Sequence, residues 1–142
     1  LKEIGRRTTT TRTSEARKCL DKDTVEKMKL EVRNVAVSDE VRRYGSRLVL
    51  ATHPEIPESA TPMVRRFVRY GSSPRGVQAL TIGGKVRALL DDRHEVSFED
   101  VRAVAKPALR HRLILNFEGE AENVDPDDII AEVVEQVPER RS

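Results

Sequence analysis

The chain has 142 residues, enough for one domain with a buried core, and its 37% hydrophobic and 35% charged content fits neither a disordered nor a membrane-spanning chain. Its 26 Lys and Arg stand against 24 Asp and Glu, a formal net charge of +2, so bulk charge does not point to nucleic acid and any basic function must be local. The single cysteine, Cys19, excludes an intrachain disulfide, and with no secretory pattern at the start a cytoplasmic location is expected; His53, His94 and His111 lack zinc-ligand spacing, so no metal is expected.

Residues 1–18, LKEIGRRTTTTRTSEARK, are rich in Thr and Arg with almost no apolar residues, and read as a linker or the remnant of a preceding element. Arg6, Arg7, Arg12, Arg17 and Lys18 either touch a phosphate or form a solvated tail. The chain opens on Leu1 rather than methionine, which suggests a piece of a longer protein. From Leu20 one grammar repeats. Asp21 is placed to cap a helix, Leu20 and Val25 to staple its start, and Val25, Met28, Val32 and Val35 to form one apolar face. Ser38 caps a second helix, with Asp39 and Glu40 in the first turn and Val41, Tyr44, Leu48 and Ala51 as its stripe.

HPEIPESATP holds Pro54, Pro57 and Pro62 and reads as a loop that closes with Thr61 capping a short helix begun by Pro62. That helix, PMVRRFVRY, pairs Met63 with Phe67 and Val64 with Val68, and leaves Arg65, Arg66 and Arg69 on its polar side. In YGSSPRGVQAL, Ser73 is the expected cap and Pro74 the first helical position. The longest apolar helix follows, with Ala79, Ile82, Val86 and Leu89 on one line and Val77, Leu80 and Leu90 widening it, so it is expected to be central and buried. Gly83 and Gly84 inside it predict close approach by another helix, since each costs about 1 kcal/mol against Ala. They do not make a phosphate-binding loop, because that pattern needs glycine where Ala79 stands and a hydroxyl where Val86 stands.

Val96, cap Ser97, Asp100 at the capping-box position and Val101 open the next helix, whose apolar face is Phe98, Val101, Val104 and Ala105. Pro107 is expected to break or kink it before a turn through Leu109 and Leu113. Ile114 and Leu115 suit an extended crossing. Asp125 caps a last helix with Pro126 in its first turn, Asp127 and Asp128 beside it, and Ile129, Ile130, Val133, Val134 and Val137 facing inward. Residues 139–142 are expected to fray. The sum is an all-α fold, a compact bundle of about five or six helices with one short extended segment open near 113–117.

No nucleophile elbow, zinc-protease helix motif or Gly-rich dinucleotide loop is present, and the acid pairs Glu99 with Asp100 and Asp127 with Asp128 have duties at helix starts. Arg75 is the exception to the capping logic. It falls in a first turn whose free amides carry the equivalent of about half a positive charge. A cation there costs several tenths of a kcal/mol unless an anion sits opposite; the anion is either a bound phosphate or an acidic neighbour such as Asp91 or Glu99, and otherwise the arginine is simply solvated.

GSSPR, VSFEDV, PALRHRLILNFE and DPDDII together, in this order and spacing, resemble the C-terminal helical lid of MoxR-type AAA+ ATPases. The resemblance covers about residues 19–138 as a lid domain, and EIGRRTT before it is similar to the end of the family's nucleotide-binding core. It implies that Arg75 is the sensor 2 residue, catalytic only in the parent protein, which reaches nucleotide phosphates held on the core. Ser73 joins Arg75 in the nucleotide-binding set, and Gly71, Ser72 and Pro74 shape the turn. It further implies ATP and Mg²⁺ in the parent, none held tightly by these residues alone, and a lid that couples ATP binding and hydrolysis to chaperone-like remodelling. The implied partners are the lid's own core domain, neighbouring subunits of a ring and an unidentified client, with no nucleic acid and no membrane span. Without Walker A and Walker B motifs the chain is not expected to be an enzyme on its own. Arg65, Arg66, Arg69 and the run Arg110–Arg112 either meet a neighbouring subunit or form solvated faces. Two other readings stay open. A protein-interaction module on the Pro54–Pro62 loop predicts an exposed apolar patch beside it, and a helical nucleic-acid binder using Arg65, Arg66, Arg69 and Arg75 predicts a continuous basic face.

Overall fold

The chain order is α1 (Lys2–Thr8), α2 (Lys22–Asn34), α3 (Asp39–Leu50), α4 (Pro62–Phe67), β1 (Val68–Tyr70), α5 (Arg75–Leu90), α6 (Phe98–Leu109), a 3-10 turn (Arg110–Arg112), β2 (Ile114–Leu115), α7 (Phe117–Ala121) and α8 (Pro126–Gln136). These elements come from a computed structural model that describes residues 1–9 and 17–140, so Arg12 lies outside the described residues. Among the described residues five helices exceed ten residues, and with the short ones they make the all-α bundle the pattern predicts.

The expected caps at Asp21, Ser38, Ser97 and Asp125 are made. Asp21 accepts from Thr24 N–H at 2.7 Å, Ser38 from Val41 at 3.3 Å and Asp125 from Asp127 at 2.8 Å. Ser97 and Asp100 close a full capping box. Each such cap stabilises its helix by about 1 kcal/mol. Thr61 stands before α4 without a side-chain cap bond, and its hydroxyl oxygen is buried without a hydrogen-bond partner.

α6 is the centre of the bundle: α5 packs along it, α3 lies against both, and α8 covers another side. Tyr44, Leu48, Leu80, Val101, Ala105, Leu109, Ile129, Ile130 and Val133 are almost fully buried. Each large one contributes about 1.5–3 kcal/mol by leaving water. The glycines of α5 set its distance from α6. A Cβ on Gly84 would lie 2.9 Å from Val96, and one on Gly83 would lie 3.2 Å from Val104. The loops that follow α2 and α5 are tied together, since Ala36 N–H donates to the His94 carbonyl at 2.9 Å and Val96 N–H to the Ala36 carbonyl at 3.0 Å.

Several expectations are corrected. α2 has no buried residue: the stapling pair Leu20 and Val25 and the face residue Met28 are exposed, and burial begins only at Val35. Its pattern is amphipathic and α5 packs against it, but that packing fully covers none of its residues. α4 ends at Phe67 instead of running to Tyr70. Val68–Tyr70 turns extended and pairs antiparallel with Ile114–Leu115, because a β-strand partner satisfies its backbone where α4 could not continue. Pro107 does not break α6, which runs through to Leu109 before tightening into the 3-10 turn. α5 is central on one side only. Its buried line is Gly76, Leu80, Gly84 and Ala88, while Ile82, Val86 and Leu90 face outward. Small residues allow the closest helix approach, so Gly76, Gly84 and Ala88 mark the inner face together with Leu80. Of the tail from 139, Glu139 and Arg140 are held: Arg102 pairs with the Glu139 carboxylate, Arg47 donates to the carbonyls of Pro138 and Glu139, and Arg140 reaches Glu40 at 3.2 Å.

Candidate functional site

The turn that presents Arg75 is built from two sides. On one, Thr52 just after α3 is fully buried; its Oγ1 donates to the Val49 carbonyl at 2.6 Å and accepts the Ser72 N–H at 2.9 Å. His53 beside it places Nε2 2.9 Å from the Ser72 carbonyl and Nδ1 2.8 Å from Glu55 Oε1. The His53 contact holds the Glu55 carboxyl below its ordinary pKa. Gly71 fits only as glycine, since a Cβ would sit 2.5 Å from the Thr52 carbonyl oxygen. On the other side, Gly76 is buried, and a Cβ there would lie 2.3 Å from Ser72 Oγ and 3.1 Å from both Leu109 and Val49. The backbone that carries Arg75 is therefore pinned immediately before and after it.

Arg75 itself is exposed and makes no hydrogen bond or ion pair among the described residues. The two acidic neighbours that the spacing offered are occupied elsewhere: Asp91 by Arg93 at 3.0 Å, and Glu99 by Arg102 at 2.8 Å. Ser73 does not cap α5. The cap position falls to Pro74, with no side-chain cap bond, and the Ser73 carbonyl accepts Gly76 N–H at 2.7 Å while the Pro74 carbonyl accepts Val77 N–H at 3.1 Å. Proline in the helical region starts the turn one residue later than a serine cap would, and the tight i to i+3 bonds use amides that an anion would otherwise meet. An anion placed here would therefore meet the guanidinium more than helix amides. Arg75, Ala79, Ile82, Val86 and Leu90 recur at three and four residues, so the arginine heads the outward apolar stripe of α5.

The other arginines separate. Arg66 lies between Glu118 at 2.6 Å and Glu122 at 2.7 Å, Arg65 donates to the Pro57 carbonyl at 3.4 Å, and Arg69 stacks on Tyr70. The proposed basic face is thus interrupted at Arg66. Arg110 pairs with Asp127 at 2.8 Å, and Arg112 donates to the Ala108 carbonyl at 2.9 Å. The Pro54–Pro62 loop is folded on itself, with the Ile56 carbonyl accepting from Ser59 and Ala60, both at 2.9 Å. The large exposed apolar residues lie mostly on α2, on α5 and at Tyr70, Ile114 and Phe117, with Leu50 the nearest to that loop.

Spacing gave no sign of Thr52 and His53, whose partner is about twenty residues on, nor of the Arg93 and Asp100 pair. Asp100 is buried and accepts from both ends of the Arg93 guanidinium, at 2.7 and 2.6 Å, and from Ser97 N–H at 2.9 Å. The Arg93 contact holds its pKa down at about 2 despite burial. That pair locks the loop between α5 and α6 to the start of α6. Among the described residues no group of three or more His, Cys, Asp or Glu is arranged to hold a metal ion, and no helix is long and apolar enough to cross a membrane.

Comparison with known proteins bears on this geometry. A family model described as AAA lid domain matches residues 61–133. The chain is 32% identical over 116 residues to the Bacillus subtilis protein YeaC, itself uncharacterized, covering 79% of this chain and 32% of YeaC. It is 33% identical over 95 residues to the chaperone MoxR1 of Mycobacterium tuberculosis, covering 66% of this chain and 25% of that protein. A crystal structure of a candidate ATPase from Cytophaga hutchinsonii superposes with a TM-score of 0.75 at 28% identity, covering 96% of this chain and 41% of that one. The chain thus spans only about a quarter to a third of the curated relatives' length. The matched residues run from the start of α4 through the Arg75 turn, α5 and α6 into α8, and the chain belongs to the AAA lid domain family, as the helical lid of a MoxR-type AAA+ ATPase.

Proposed function

We propose that this lid closes over ATP held on an AAA+ core joined to it and that Arg75 acts as its sensor 2 residue. The observation that carries this is the exposed Arg75 guanidinium, unpaired among the described residues on a backbone pinned at Ser72 and Gly76. Such a side chain is held ready for an anion that another body supplies. Guanidinium N–H groups match phosphate oxygens in geometry and charge, and they favour the state in which negative charge develops on the transferring phosphoryl group. ATP with Mg²⁺ supplies that group on the core; the lid supplies the arginine, its aim and the movement. The apolar stripe Ile82, Val86 and Leu90 runs on from Arg75 along the same face, and the core covers it when the lid is closed. ATP state then becomes a rigid-body displacement of the lid. In this reading the whole protein is a cytoplasmic ATPase that assembles into a ring and remodels a client protein; one relative, MoxR1, is named a chaperone.

Replacing Arg75 in the full-length protein tests it. R75A is expected to lower ATP hydrolysis at saturating ATP by about tenfold or more. Unchanged hydrolysis overturns the sensor role. The 142-residue chain alone is expected to bind ATP with a Kd above about 1 mM, and tight binding by it contradicts a site shared with a core.

A further inference from the structure

We infer that His53 is a positioning residue for Arg75, an inference that rests on Arg75 meeting nucleotide phosphates. The ring bridges two acceptors, the Glu55 carboxylate at 2.8 Å on Nδ1 and the Ser72 carbonyl at 2.9 Å on Nε2. Neither acceptor has a hydrogen to give, so the doubly protonated ring satisfies both contacts and the neutral ring only one. Ser72 is held at both ends of its peptide unit: Thr52 Oγ1 accepts its N–H and His53 donates to its carbonyl. Thr52 is fully buried, whereas the His53 side chain is 23% exposed, so His53 is the replaceable half of this clamp.

The clamp fixes the path into α5. Ser72 is followed by Ser73 and Pro74, and the Ser73 carbonyl takes the first backward bond of α5 from Gly76. Pro74 has a fixed φ, and Gly76 is walled in by Ser72, Leu109 and Val49, so little freedom remains between the clamp and the arginine. A shift of the Ser72 carbonyl therefore moves the Arg75 Cα, and misplacement of a catalytic group by about 1 Å can cost as much as 100-fold. His53 reaches no reacting atom in this scheme; it acts through Arg75.

The experiment is a double-mutant cycle on ATP hydrolysis by the full-length protein, with H53A, R75A and H53A/R75A, thermal melting recorded for each. H53A is expected to lower kcat by about fivefold to tenfold with a smaller change in KM for ATP, the same split as R75A, and to have no further effect in the R75A background. H53L keeps much of the bulk and removes both ring nitrogens, so it is expected to match H53A; H53Q, which can still donate to the Ser72 carbonyl, is expected to restore most of the rate. Wild-type kcat in H53A and H53L beside an impaired R75A overturns the positioning role and leaves the Arg75 reading standing. A loss that multiplies fully with that of R75A, or that H53Q does not relieve, overturns it in favour of a general structural effect. Wild-type hydrolysis by R75A itself is the distinct outcome that removes the Arg75 reading beneath it.

Discussion

Gly71 and Ser73 lie two residues apart in the turn before Arg75, and the structure gives them opposite weights. A methyl group on Gly71 meets a backbone carbonyl at 2.5 Å, an atom that cannot rotate away, so the turn or the end of α3 must move. G71A is expected to cost about 1–3 kcal/mol in urea unfolding. Ser73 suits a cap by type, yet α5 starts without a side-chain cap bond, so S73A is expected to stay within about 0.5 kcal/mol of the wild type. A loss of a full kcal/mol in S73A would restore the serine cap. Arg75 was visible in the sequence because its charge opposes the helix dipole. Thr52 and His53 were not, because their significance lies in a carbonyl and an amide of Ser72 that local spacing does not bring near them.

Among the elements, α5 shows best how a helix can be legible and its orientation hidden. Its apolar residues run nearly all round, so periodicity selects no face, and the inner side is decided by what α6 can approach: Gly76, Gly84 and Ala88. Its C-terminus was equally hidden, since no glycine marks it. Asp92 takes the left-handed conformation at φ 53, while Asp92 N–H returns to the Leu89 carbonyl at 3.1 Å and Arg93 N–H to the Ala88 carbonyl at 2.8 Å. This double return is a Schellman closure, and glycine serves it without a Cβ clash. D92G is therefore expected to raise stability by about 0.5–1 kcal/mol, read as a higher urea midpoint with unchanged slope. A lower midpoint would show that the Asp92 side chain has a role its φ does not reveal. α4 and β1 repeat the lesson: Val64, Phe67 and Val68 are all buried as the apolar pattern requires, but only the backbone partner at Leu115 turns Val68 from helix to strand.

For the whole molecule, the Arg93 and Asp100 pair is where charge is committed to the fold. The Asp100 pKa is about 2 in the folded state against an unfolded value near 3.8, so as pH falls the unfolded chain takes up the proton first. Its contribution is fully present above about pH 4 and is lost between about pH 4 and pH 2, on the order of 2 kcal/mol. Unfolding free energies of the wild type are expected to fall across that window, and those of D100N to start lower at neutral pH and fall less. Equal slopes would remove Asp100 from the acid response. The caps at Asp21, Ser38, Ser97 and Asp125, the five long helices of the described residues and the placement of Arg75 in a helix's first turn follow from the sequence by itself, because capping and helical periodicity act within a few residues. Only the tertiary structure decided that the apolar face of α2 stays largely in water, that α5 turns Ile82, Val86 and Leu90 outward on the side of Arg75, and that Thr52 and His53 hold the turn before it. Those outcomes depend on which surfaces meet, and that is settled by close approach at small residues and by hydrogen bonds between residues distant in the chain.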